Sequence, residues 1–169
     1  MTTHYQKREI LRLARSGHTR RLQQLLQNHV DINFLHHKTG MTPLMTAVHA
    51  GRVAAVELLL NFDADPNLRA TDNASALHWA CLRGDGNMVK MLIDAGAELN
   101  IRRETDRDDE GPAPIHMALG KSHDDVAILL VEAGASVGVR YFGLTVVEYA
   151  ASCGCDAVVT YLRQLGVRT

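Results

Sequence analysis

Thr42-Pro43-Leu44-Met45-Thr46-Ala47, Ser75-Ala76-Leu77-His78-Trp79-Ala80 and Ala113-Pro114-Ile115-His116-Met117-Ala118 are three versions of one phrase. They start at residues 42, 75 and 113, in steps of 33 and then 38 residues. A second phrase follows each of them. It reads Leu59-Leu60 with Ala64-Asp65-Pro66-Asn67, then Leu92-Ile93 with Gly96-Ala97-Glu98-Leu99-Asn100, then Leu130-Val131 with Gly134-Ala135-Ser136-Val137. Two phrases that recur together at a near-constant period mark a repeat protein, in which each unit is one supersecondary element stacked on its neighbours.

The residue types say what the unit is. Thr42 and Thr145 suit a helix N-cap, where the hydroxyl accepts a backbone N–H. Pro43 and Pro114 take the next position, where a missing N–H costs nothing. Val56, Leu59 and Leu60 make the i, i+3, i+4 stripe of a second helix, as do Val89, Leu92 and Ile93. Gly96 and Gly134 stand where that helix must stop and a left-handed residue is favoured. Each unit is therefore two antiparallel helices and a hairpin-like turn, and it buries its stripes only by stacking.

The frame extends to both ends. Leu11, Leu13, Ala14 and Gly17 precede Leu22, Leu25, Leu26 and Asp31-Ile32-Asn33; Thr145 to Ala151 lead to Gly154, Val158-Val159, Tyr161-Leu162 and Gly166. The expected fold class is an all-α solenoid, one domain over 1–169, with repeats at about 1–33, 34–67, 68–100, 101–138 and 139–169. The outer units read as caps. The first carries Lys7, Arg8, Arg12, Arg15, Arg20 and Arg21, and the last has Arg163 where inner units hold Leu60, Ile93 and Val131. On that reading the solenoid is complete. The 38-residue step puts extra residues into the finger Ile101–Pro112, because a helix cannot absorb an insertion without losing register. That finger, charged and without apolar anchors, is expected to be the most mobile internal segment.

The pattern resembles the ankyrin repeat, with its Thr-Pro-Leu-His opening, its Leu-Leu…Gly-Ala-Asp…Asn close and a period of about 33 residues. The resemblance covers nearly the whole chain, although no unit has an intact Thr-Pro-Leu-His. The architecture is similar to five-repeat inhibitors of cyclin-dependent kinases and to free-standing bacterial ankyrin proteins, without a motif specific to either. The resemblance implies a scaffold that binds proteins through finger tips and the exposed side of each first helix, which line a concave groove. It also implies structural roles for His78 and His116, hydrogen-bonding within and between repeats.

Composition agrees and excludes other classes. Hydrophobic residues are 46%, charged residues 22% and aromatics 5%, which suits a folded chain of Ala/Leu-rich helices rather than a β-sandwich. A net charge of -1 provides no global field toward nucleic acid or an anionic membrane. Residues 1–10 hold no apolar signal core, and no later run is long enough to span a bilayer. Cys81, Cys153 and Cys155 are too few and too close to form a disulfide framework, which points to a reducing compartment. The expected protein is a cytoplasmic monomer (nuclear as well in a eukaryote) with a protein partner and no nucleic acid, membrane or cofactor.

Motifs that imitate chemistry are incomplete. Gly120-Lys121-Ser122 echoes a phosphate loop, yet Ile115 stands where its first glycine belongs and no strand precedes it. Asp106, Asp108, Glu110 and Gly111 echo a calcium loop, yet Met117 takes the place of the bidentate carboxylate and Arg102, Arg103 and Arg107 oppose a cation. His36-His37 and Cys153-Gly154-Cys155 lack a second pair at zinc spacing, so no metal ligand is assigned. Cys81 occupies a slot for a small buried residue. No Gly-x-Ser-x-Gly elbow or Cys/His signature is present, and a catalytic residue is not expected. The competing class, a small enzyme or a ligand- or metal-binding protein on a repeat scaffold, predicts a closed pocket with perturbed titratable groups.

Within the frame, the outward slots hold the candidate partner-binding residues. They are Arg12 and Arg15 in the first unit, beside Tyr5 and Lys7. Met41, Thr46 and His49 follow in the second, with Lys38 and Thr39, and Trp79 and Leu82 in the third, with Thr71, Asp72 and Ala74. The fourth supplies Asp109, Glu110 and Met117, with Pro112, and the fifth Tyr141, Phe142 and Tyr149. Trp, Tyr and Arg are enriched at interface hot spots, and Trp79 lies in the middle unit. The basic N-terminal end and the acidic fourth finger read as a dipolar groove that orients a partner.

Overall fold

The computed structural model describes residues 3–104 and 111–167. Among these are ten α-helices, with no strand beyond an isolated bridge between Tyr141 and Leu144. They form five antiparallel pairs: α1 (His4–Ser16) with α2 (Thr19–Leu26), α3 (Pro43–His49) with α4 (Val53–Asn61), α5 (Ala76–Arg83) with α6 (Gly86–Asp94), α7 (Pro114–Leu119) with α8 (Asp124–Glu132), and α9 (Val146–Ser152) with α10 (Asp156–Gln164). The odd-numbered helices form one row and the even-numbered a second. The first row is the more closely packed from α1 to α7, and its last step, α7 to α9, is like that of the second row. This first row and the fingers are the side that the resemblance places on the concave face.

Local chemistry starts the helices where the frame places them. The Thr42 hydroxyl accepts the Met45 N–H at 3.1 Å, and Pro43 opens α3. At α9 the Thr145 hydroxyl accepts from Glu148 N, while the Glu148 carboxylate accepts the Thr145 N–H at 2.7 Å, a reciprocal capping box. Histidine fills that third-residue role in two units. His78 Nδ1 accepts the Ser75 N–H and His116 Nδ1 the Ala113 N–H, each at 3.1 Å. His78 Nε2 then donates to the Pro112 carbonyl, 3.3 Å away in the next finger. His78 therefore bonds within its repeat and across to the next, as the resemblance implies. Burial holds both imidazoles down to a pKa of about 4, so they are neutral at pH 7.

The stripes meet in one continuous core. Leu59, Leu92 and Leu130 of the second row and Leu44, Leu77 and Ile115 of the first are sealed from solvent. Cys81 and Cys155 are buried in the same core, and burial pushes both thiols up. All six residues from Pro43 to Val48 are buried, because α3 is flanked by α1 and α5 and backed by α4.

Two polar ladders join successive units. Asn67 donates to the Gly96 carbonyl at 2.9 Å and accepts the Glu98 N–H at 2.7 Å. Asn33 makes the same pair of bonds to Asp63 and Asp65, and Asn100 accepts from Ser136 N. At the other end of the helices, Arg52 donates to the Arg15 carbonyl and Arg83 to that of His49. Gly51 (φ +70°) leaves room for this second ladder: a Cβ there would run into the Arg83 guanidinium. In the fingers, the Cβ of any residue replacing Gly40 would lie 2.6 Å from the Thr71 backbone nitrogen. Close finger stacking needs that glycine, and Thr71 N donates to the Thr39 carbonyl at 3.3 Å.

Candidate functional site

The odd-numbered helices and the fingers present three groups of side chains along the concave face. The first lies between α1 and the finger 34–41. Arg12, Arg15, Met41 and Thr46 line a hollow of about 290 Å³ together with Arg8, Leu11, His36 and Thr39. Arg12 is held in place by Glu9, with Nε and Nη2 donating to its carboxylate at 2.8 and 2.7 Å. Arg15 is exposed, while Met41 is half-buried.

Thr46 departs from the expected frame. Its side chain is only 5% exposed, and its hydroxyl donates back to the Thr42 carbonyl at 2.9 Å. It lies on the floor of the hollow, not in an open slot. Ala74 and Pro112 are likewise buried instead of outward. The reason is shared: a helix or finger with a neighbour on each side leaves only a narrow arc to solvent, and slots at the arc's border are covered.

Trp79 forms the second group. Its indole is half-buried and meets the exposed His49 ring edge-on, with centroids 4.8 Å apart. The Arg103 guanidinium lies over the Trp79 ring, 5.6 Å from its centroid, and also pairs with Asp72. The indole N–H is buried and has no acceptor among the described residues. Leu82 is half-buried one turn further on. Trp79 is thus neither an open slot nor a sealed core residue, since part of its ring packs against the unit before and the finger after.

The third group is aromatic. Tyr141 stacks against Phe142 with centroids 4.2 Å apart, and Tyr149 meets Tyr141 at 5.5 Å. His116 lies 5.4 Å from both tyrosines. Phe142 is 54% exposed and sits in the left-handed region at φ +53°, where a large side chain is uncommon. Burial, with Cys153 beside it, pushes the Tyr149 hydroxyl up to about 12. Met117 is half-buried in α7. Asp109 and Glu110, and the acidic part of the fourth finger with them, lie outside the described residues, as does the mobility expected there.

The structure thus brings the candidates together as Arg12–Arg15–Met41–Thr46, His49–Trp79 and Tyr141–Phe142–Tyr149, each in its own group. Asp72, expected in an outward slot, is found paired with Arg103 beside Trp79, whereas sequence reasoning missed Arg103 there and missed His116 as part of the aromatic group. It also missed Arg8 and His36 in the first hollow. Arg8, Arg12 and Arg15 are spaced i, i+4, i+7, a readable stripe on one helix face; the Arg103 contact is a long-range finger contact with no local signal.

Two strongly shifted groups, His116 and Tyr149, meet in the aromatic group with ring centroids 5.4 Å apart, and burial is the first cause for both. His78, His116, Cys81 and Cys155 owe their shifts first to burial, and none lines either N-terminal hollow. Among the described residues no three His, Cys, Asp or Glu side chains cluster closely enough to hold a metal ion. No helix of the described residues is long and apolar enough to cross a membrane.

Comparison with known proteins agrees with this geometry. A family model described as ankyrin repeats in three copies matches residues 10–103, more than half the chain. An ankyrin repeat protein of Acanthamoeba polyphaga mimivirus is 35% identical over 108 residues, covering 64% of this chain and 13% of that protein. The E3 ubiquitin-protein ligase KEG of Arabidopsis thaliana is 32% identical over 117 residues, covering 65% of this chain and 7% of the ligase. Transient receptor potential cation channel subfamily A member 1 of Homo sapiens is 30% identical over 115 residues, covering 68% of this chain and 10% of the channel. The chain spans less than a third of the length of these relatives. With its repeated phrases, its stacked helix pairs and this family match, the chain belongs to the ankyrin-repeat family, whose repeats are protein–protein interaction modules.

Proposed function

We propose that this chain recognises a protein partner across its concave face, with Trp79 as the central anchor. The observation that carries the reading is the place of Trp79. It is partly exposed in the third of five helix pairs, flanked by His49 from the unit before and Arg103 from the finger after. A large aromatic at the centre of a face, ringed by contacts that exclude water, is the usual form of an interface hot spot. Tyr141, Phe142 and Tyr149 anchor one side and Arg12, Arg15 and Met41 the other. His49, Leu82 and Met117 lie between them, and Asp109 and Glu110 contribute from the long finger. Occupying a partner's surface in this way inhibits or sequesters it. The module works as a cytoplasmic monomer, without nucleic acid, membrane or cofactor, and performs no catalysis. The test is affinity capture from the native host, comparing the wild-type chain with Trp79→Ala and with Glu57→Ala on the exposed side of α4. A partner retained by wild type and Glu57→Ala but lost by Trp79→Ala supports the reading; equal capture by all three contradicts it.

A further inference from the structure

We infer that the N-terminal end of the concave face is a docking cleft for an acidic peptide segment bearing an apolar side chain; this rests on the concave-face reading and names the chemistry of one part of it. A hollow of about 600 Å³ opens between α1 and the first finger, with Lys7, Arg8, His37 and Lys38 on its walls. The neighbouring hollow of about 290 Å³ shares Arg8, Leu11 and His36 with it, and adds Arg12 and Arg15. No Asp or Glu lines either of them. Glu9 answers Arg12 at 2.7 Å and reaches Arg21 at 3.7 Å, but Arg8, Arg15 and Lys38 have no ion pair among the described residues. The local field is correspondingly positive. His36 is held below the ordinary histidine range by burial first, and then by the charges of His37, Lys38 and Arg15.

This excess is local, because the whole chain carries a net charge of -1. Repelling cations gathered around one opening are relieved by a ligand that supplies carboxylates, and such charge complementarity orients and accelerates encounter. Charge is half of the fit. Leu11 is half-buried in the shared wall, and Leu35 is 52% exposed at the edge of the larger hollow. Lys7 lies over the Phe34 ring, 5.0 Å from its centroid, which keeps its ammonium beside apolar surface. An apolar strip between cations suits a side chain such as Leu flanked by Asp and Glu. A phosphodiester chain would use the same cations but leave the Leu11–Leu35 strip uncovered, so a nucleic acid is the competing ligand in the test.

The experiment is an NMR titration of the full 15N-labelled chain with the acetylated peptide Glu-Asp-Glu-Leu-Asp-Glu. The controls are the same peptide with Gly for Leu, a lysine-for-acid version, and hexathymidylate. The acidic leucine peptide should give saturable shifts at Leu11 and Leu35–Lys38, weakening as salt rises from about 0.05 to about 0.5 M. Arg8→Glu with Lys38→Glu should weaken it at least about tenfold, and the exposed Leu35→Ser about threefold. Thermal midpoints of these variants near wild type confirm that they fold. The cleft is overturned if the glycine peptide binds equally well, if hexathymidylate binds more tightly, or if millimolar peptide gives no saturable shift at these residues. It is also overturned if folded charge-reversal variants bind as wild type does. Trp79→Ala separates this from the wider reading. It should leave peptide affinity within about twofold, since the indole lies outside both hollows. A captured partner indifferent to Trp79→Ala would overturn the anchor reading without touching the cleft titration.

Discussion

Asn67→Ala isolates the coupling between neighbouring repeats. Asn67 lies in the turn after α4 and is not one of the hydrophobic core residues, so the substitution acts first on its hydrogen bonds. It removes two hydrogen bonds across the boundary: Nδ2 to the Gly96 carbonyl at 2.9 Å and the Glu98 N–H to Oδ1 at 2.7 Å. A net contribution of about 0.5–1.5 kcal/mol for each bond gives an expected loss of about 1–3 kcal/mol. Asn67→Asp keeps the acceptor for Glu98 N and loses the donor to Gly96, so it should fall between Ala and wild type. Asn100→Ala removes the bond to Ser136 N, 2.8 Å long, and should cost about half as much. Urea unfolding should be followed by far-ultraviolet circular dichroism and by Trp79 fluorescence, which reports from the adjoining unit. The midpoint should fall while the slope stays constant and the two probes coincide. A midpoint unchanged in Asn67→Ala would refute the ladder as a coupling device. Separated transitions for the two probes would mean that the units unfold independently once this bridge is lost.

Two further outcomes follow from the core. Leu59→Ala, at a site with no exposed surface, should cost about 2–5 kcal/mol, against under about 0.5 kcal/mol for Glu57→Ala on the same helix; equal losses in urea unfolding would break the assigned packing. His78 and His116 titrate near 4 in the folded chain against an ordinary 6.5, so the unfolded chain binds more protons between those values. Their contribution is intact above pH 6.5 and is lost as pH falls through that window toward 4, on the order of 3 kcal/mol per histidine. Glutamine at these positions keeps the capping geometry, so His78→Gln with His116→Gln should flatten the fall in thermal midpoint between about pH 7 and pH 5; a fall as steep as wild type would contradict this account.

The helix starts were legible because their cause is local. Thr42-Pro43 and Thr145…Glu148 cap their helices with side chains three residues apart. The stripes were legible because Leu59, Leu92 and Leu130 keep the helical period. What escaped was everything set by the distance between units. The recurrence of Asn33, Asn67 and Asn100 is visible in the sequence, but their partners lie about thirty residues away on the neighbouring backbone. Thr46 shows the same limit from the other side. Slot arithmetic places it outward, yet α1 and α5 close around α3 and leave it buried. Trp79 and Asp72 are legible as outward slots of one unit, whereas Arg103 comes from the next finger, which only stacking brings to them.

The central claim is that Trp79 anchors a partner in addition to its part in packing the units together. It is tested by calorimetric titration of the purified captured partner with wild type and Trp79→Ala, alongside the thermal stability of both. Trp79 is partly buried against the core as well as packed on His49 and Arg103, so the variant should lose about 2–4 kcal/mol of stability, and the affinity comparison is made at a temperature where its thermal midpoint shows it folded. Its affinity for the partner should fall by about 2 kcal/mol or more, roughly thirtyfold. A folded Trp79→Ala chain that binds the partner as tightly as wild type would contradict the account.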